Sequence, residues 1–110
     1  MKLDREISES IKNGLVPLFA PSKIIVFGSY ATGMATEGSD IDILVLVDDE
    51  RDSCRDAVLK GRLALRNALR GKNLPFDLLV ETTRDFDRYR LVKGSIQREI
   101  DAQGMVLYEH

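Results

Sequence analysis

Hydrophobic positions change their period several times along the chain, and each change marks an element. Over residues 4–19, Ile7, Ile11, Leu15 and Leu18 recur at helical spacing, with Asp4 placed to cap the start, Gly14 as a weak point and Pro21 just past the end. Lys23 to Phe27 is a short β-branched run closed by Gly28, the pattern of a buried strand. Ile41 to Val47 predicts a second strand that is apolar on both faces after its start. Residues 52–70 predict a helix that buries Cys54, Ala57, Val58, Gly61, Ala64, Leu65, Ala68 and Leu69, with Gly61 mid-face where it allows close approach to a sheet. Phe76 to Glu81, after Pro75, predicts a third strand. Val92, Ile96 and Ile100 predict a last helix stopped by Gly104 in the left-handed conformation, and Met105 to Tyr108 a terminal strand. A short helical stretch from Tyr30 to Met34 fits between the first two strands. This order implies an α/β (α+β) fold: a mixed sheet of about four strands with helices packed on it.

The chain has 110 residues without an internal repeat or linker, so residues 1–110 read as a single domain. Its longest apolar run near the middle, Ile43 to Val47, falls far short of the roughly 20 residues that cross a bilayer, and the opening MKLDREISES holds no apolar stretch. Neither a membrane span nor a secretory leader is expected. Cys54 is the sole cysteine, which excludes an internal disulfide and a cysteine zinc site and suits a reducing cytoplasm. With no histidine beside it in sequence, Cys54 reads as a small core residue rather than a nucleophile. The formal net charge of −2 lacks the basic excess of a dedicated nucleic-acid binder, so nucleic acid is not expected as a direct ligand.

That charge is sorted along the chain. Residues 37–50 carry Glu37, Asp40, Asp42, Asp48, Asp49 and Glu50 and no base, whereas residues 51–72 carry seven bases against Asp52 and Asp56. In an extended strand, Asp40 and Asp42 point the same way with Cα atoms about 6.7 Å apart. Two carboxylates so placed either open a solvated strand or share a hard divalent cation, Mg²⁺ first. Gly28-Ser29, closing the first strand ahead of a helical turn, is either a plain turn or a phosphate cradle in which Gly28 permits close approach and Ser29 donates a hydroxyl. Asp77 lies on the opposite face of its strand from Phe76 and Leu78. If that strand neighbours the second, Asp77 completes a three-carboxylate cluster. Other phosphate chemistries fit less well. Gly28 and Gly33 have the Walker glycine spacing, but Met34-Ala35 stand where Lys and Ser/Thr are required. An aspartyl nucleophile of the phosphatase kind would follow its strand, whereas Asp40 and Asp42 precede theirs.

Gly28-Ser29, ten intervening residues that include Gly33 and Ser39, and then Asp40-Ile41-Asp42 resemble the signature of the minimal nucleotidyltransferase domains of the polymerase-beta-like superfamily. The resemblance spans most of the chain, because Phe76 to Val80 is similar to the strand bearing that family's third carboxylate and Ile100 to Glu109 to its closing helix and strand. It implies that Asp40, Asp42 and Asp77 hold two Mg²⁺ ions, that Gly28 and Ser29 hold the phosphates of ATP, and that Asp77 assists the attacking hydroxyl. Thr32 departs from the pattern: the family often carries Arg there, so this loop supplies no cation to the leaving pyrophosphate. Stand-alone members are commonly encoded with a HEPN-type ribonuclease toxin, which some neutralise by transferring AMP to a tyrosine. By this resemblance the chain is an antitoxin that adenylylates a hydroxyl of a partner protein in a hetero-oligomer. The alternative is a non-catalytic nucleotide-binding module that neutralises its partner by direct contact.

Two further features bear on partners. On the 52–70 helix, Arg55, Arg62, Arg66 and Arg70 cluster with Leu59 and Leu63 on the outward side, either as a solvated face or as contact with a second protein. Neither leucine is expected to point toward the carboxylates. Tyr30 is expected to pack beside the nucleotide loop.

Overall fold

Asp4 starts the first helix, its carboxylate accepting the Ile7 N–H at 2.8 Å, in a computed structural model that describes residues 2–110. Helix α1 (Arg5–Phe19) is followed by β1 (Lys23–Phe27), the single turn α2 (Ser29–Thr32) and β2 (Ile41–Val47). A 3₁₀ turn, Glu50–Ser53, leads into α3 (Arg55–Ala68), then come β3 (Phe76–Thr82), α4 (Thr83–Tyr89), α5 (Ile96–Gln103) and β4 (Met105–Glu109).

Among the described residues the four strands form one mixed sheet in the order β3-β2-β1-β4. β1 pairs antiparallel with β2 and β4, whereas β2 and β3 run parallel. A parallel pair needs a crossover, and α3 supplies it. Side-chain alternation along β2 divides the core. Ile41, Ile43, Val45 and Val47 join Ile11, Leu15 and Phe19 of α1 and Leu65 of α3 in the larger cluster. Leu44 and Leu46 face the other way, onto Ile25, Phe86 of α4 and Ile100 of α5. The expected α+β architecture is the observed one, and the radius of gyration is 13.2 Å. No helix of the described residues is long and apolar enough to cross a membrane.

Four local expectations are corrected. The last helix starts later than expected, because Val92 lies exposed in the turn before Ser95 caps α5, and an unforeseen helix α4 precedes it, capped by Thr82, which accepts the Asp85 N–H at 3.1 Å. Gly104 ends α5 in extended rather than left-handed conformation (φ −69°, ψ 154°); a side chain there would collide with the Ile100 carbonyl and Ile25. Cys54 is exposed at the N-cap of α3, because the 3₁₀ turn delays the helix and turns position 54 outward. Phe19, not Leu18, completes the buried stripe of α1.

Gly61 does what its mid-face position predicts. A Cβ there would stand 2.8 Å from ring carbons of Phe19 and 2.9 Å from Leu78 Cδ2, inside any normal contact. Overpacking of this kind costs about 1–3 kcal/mol. Gly61→Val is therefore expected to lower the unfolding free energy by that amount in urea titrations; an unchanged midpoint would show that α3 has slack against the sheet.

Candidate functional site

The strand register assembles the site. Asp42 pairs across β1 with Phe27, which places it beside Gly28, and across β3 with Asp77. Paired residues of neighbouring strands project to the same face, so Asp42 and Asp77 stand side by side on the α5 face at the start of their strands. The Ile41 N–H donates to the Pro75 carbonyl at 2.9 Å and locks this register where it matters. Asp40 precedes β2 on an exposed turn closed by Ser39, whose hydroxyl accepts the Thr36 N–H at 2.9 Å. The condition under which Asp77 was expected to join the pair, adjacency of its strand to the second, is met.

Electrostatics separate Asp42 from the others. Burial pushes its carboxyl above the ordinary carboxylate range, and the charges of Asp77 and then Asp40 push it further. Among the described residues no nearby cation offsets these effects. Among the described residues no three acidic, histidine or cysteine side chains are already drawn together as a metal centre. Asp40, Asp42 and Asp77 thus sense one another as charges without meeting at a point.

Gly28 has two reasons to be glycine. Its backbone (φ 72°, ψ −150°) lies in a region essentially closed to other residues, and a Cβ would run into the Asp42 carboxylate. Just beyond it, Ala31 is the first residue of α2 whose N–H bonds back, to the Gly28 carbonyl at 3.0 Å. By helix geometry the N–H groups of Ser29 and Tyr30 have no partner within the turn. Tyr30 itself is buried in the larger core, which anchors the turn, and the Thr32 hydroxyl donates to the Gly28 carbonyl at 3.4 Å.

Gly28, Thr32 and Asp42 form one wall of a cleft of about 380 Å³, and Ile96, Glu99 and Gln103 of α5 form the other. The α5 wall was not foreseen. Its signal was Glu99 and Gln103, four residues apart beside Ile96 and Ile100, which sets two polar side chains along the cleft while Ile100 packs on the sheet. Gln97 holds α5 in place, its Nε2 donating to both Glu81 carboxylate oxygens at 3.1 Å. Burial raises the Glu81 carboxyl above the ordinary range, this hydrogen bond offsets part of that, and the charge of Asp85 adds to it.

A second hollow, of about 800 Å³, opens between α3 and the segment leading into β3. Leu59, Arg62, Leu63 and Arg66 line it, and it reaches Asp77. The outward stripe of α3 therefore reaches the start of β3, while the Asp42 and Asp77 side chains project on the α5 face of the sheet.

Comparison with known proteins agrees with this geometry. Residues 8–103 match the family model described as nucleotidyltransferase domain. A protein of Methanocaldococcus jannaschii named "Putative protein adenylyltransferase" is 36% identical over 86 residues, covering 78% of this chain and 77% of that protein. Among solved structures, one of a toxin-antitoxin with AMP-PNP superposes with a TM-score of 0.67 at 24% identity, over 94% of this chain and 73% of that one. A structure from Sulfolobus solfataricus, described as a "putative nucleotidyltransferase", gives a TM-score of 0.50 at 20% identity, over 97% and 90% of the two chains. These two likenesses concern the fold.

Like charges in register oppose the fold by about 0.2–1 kcal/mol. Asp42→Asn should therefore raise the melting temperature of the metal-free protein at neutral pH. A lower melting temperature in calorimetry would mean that the Asp42 carboxylate has a stabilising partner.

Proposed function

The chain belongs to the nucleotidyltransferase domain family, and from that premise we propose that it transfers AMP from ATP to a hydroxyl of a partner protein, a HEPN-type toxin that it thereby neutralises as an antitoxin. Residues 1–110 act in this reading as one minimal domain. The observation that carries it is the Asp42–Asp77 register at the mouth of a cleft walled by Gly28. Two relatives support the finer statement: one is named for protein adenylylation, and the other is a toxin-antitoxin with an ATP analogue.

The residues fit a hard divalent cation. Their donors are all carboxylate oxygens, Asp42 carries uncompensated repulsion from two neighbours, and Gly28 keeps the space over its carboxylate open. Asp40, Asp42 and Asp77 would hold Mg²⁺, two ions in this reading. Bound there, Mg²⁺ neutralises the carboxylates and the phosphate oxygens and helps to align the reacting groups.

The chain's own groups do the rest. The N–H groups of Ser29 and Tyr30 and the Ser29 hydroxyl receive phosphate oxygens, and the absent Gly28 side chain lets them approach. The acceptor oxygen forms its bond to the α-phosphorus as the bond to pyrophosphate breaks on the opposite side, and Asp77 takes the hydroxyl proton. Thr32 brings no charge to the departing pyrophosphate. Catalysis is then mostly positioning and electrostatic stabilisation.

With labelled ATP, Mg²⁺ and the product of the adjacent gene, label is expected on the partner protein. Asp42→Asn should reduce it by about 100-fold or more. Gly28→Val should abolish ATP binding in isothermal titration, since it forbids the backbone conformation and fills the cradle. A partner that is neutralised without taking up label would establish the occluding module instead. Full transfer by Asp42→Asn would overturn the assignment of these carboxylates.

A further inference from the structure

Two hollows of different character open near the starts of β2 and β3. One is the cleft with the Gly28 turn. The other is the larger groove, between the outward face of α3 and the segment leading into β3. Leu59 and Leu63 on that face are each 56% exposed. Arg62, Arg66 and Arg70 line the same groove, and no ion pair among the described residues engages any of them. Asp77 is the only acid in the lining. The surface thus offers two apolar anchors inside three cations that no ion pair engages.

We propose that this groove docks an acidic, apolar segment of the acceptor protein at the edge of the sheet, beside the start of β3. The inference rests on the nucleotidyl-transfer reading above and adds where, and by what chemistry, the second substrate is held. The groove and the Gly28 cleft share no lining residue, so a segment docked on α3 leaves the nucleotide cradle free. Charge complementarity selects the occupant. Carboxylates of the segment satisfy Arg62 and Arg66, while its apolar side chains cover Leu59 and Leu63. A nucleic-acid strand would satisfy the arginines and leave the leucines without partners. It would also approach a chain of net charge −2.

The test uses the full chain and two fluorescein-labelled peptides of equal length, one of alternating Glu and Leu, the other of alternating Lys and Leu. A labelled oligouridylate is the third probe. The Glu-Leu peptide should bind the wild-type chain saturably and more tightly than either other probe. Arg62→Glu with Arg66→Glu should weaken it at least about tenfold and improve binding of the Lys-Leu peptide. Leu59→Ser with Leu63→Ser should also weaken it. All four residues are exposed, so the variants should retain the wild-type circular dichroism; Arg62→Gln with Arg66→Gln provides a milder pair. ATP titration with Mg²⁺ runs beside every peptide titration. Wild-type ATP affinity in variants that lose the peptide supports the groove. Unchanged peptide affinity in the arginine variants, absence of saturable peptide binding, or tighter binding of oligouridylate overturns it. Failure of the wild-type chain to bind ATP would strike the transfer reading instead, and is distinguishable because the peptide arm is read separately.

Discussion

Two carboxylates held side by side against their own repulsion are the constraint on which the molecule turns. The parallel ladder of β2 on β3 keeps Asp42 level with Asp77, although burial and the charges of both Asp77 and Asp40 disfavour an ionised Asp42. What holds the register lies further along the same strands. Ile43, Leu44, Val45, Leu46 and Val47 are all buried, as is Leu78 opposite Ile43. Burying one such side chain is worth about 1.5–3 kcal/mol, against about 0.2–1 kcal/mol for a like-charge pair. Slipping β3 by one residue would remove the repulsion and also turn Leu78 out of the core. The apolar halves of the strands therefore impose the charged halves.

The rest of the site follows from that register. With Asp42 opposite Phe27, the chain leaving β1 must turn away immediately, and only a glycine at 28 adopts the required backbone while clearing the Asp42 carboxylate. The turn is tethered from below by Tyr30, which is buried in the larger core. Because β2 and β3 are parallel, a helix must cross between them, and Gly61, Leu65 and Leu69 seat that helix on the sheet. Its outward residues then come to lie beside the entry to β3. Groove, cleft and carboxylate pair are consequences of one strand pairing.

Local parts of this arrangement were legible in the sequence, and non-local parts were not. Gly28-Ser29 and Asp40-Ile41-Asp42 are short signals whose meaning depends on a turn and on strand alternation, so they survive without knowledge of the fold. Asp77 was legible only conditionally, since nothing in sequence says which strand lies beside which. Helix α4 escaped because seven residues starting directly after a strand leave too short a period to stand out, while Val92, at apparent helical spacing from Ile96, suggested a helix across what is a turn. Cys54 was misplaced because hydrophobic character put it on the buried stripe, yet the 3₁₀ turn before α3 makes it an exposed cap. The polar wall of α5 was missed because periodicity identifies the face that packs on the core and leaves the opposite face unread.

The two faces of α3 are under different constraints, and this bears on what the domain can vary. Inward, Gly61 has no room for a single added carbon, so the helix cannot be reseated without moving Phe19 or Leu78. Outward, Leu59, Arg62, Leu63 and Arg66 pack against nothing that would resist replacement. The donor side is equally confined, because the Gly28 backbone, the Asp42 carboxylate and the wall of α5 leave little that can change independently. On the proposed transfer reading, a domain built this way keeps its nucleotide site fixed and can alter its choice of acceptor by surface substitution alone. The stability of the sheet and the geometry at Asp42 restrict the same residues, whereas the outward face of α3 is restricted by a different set.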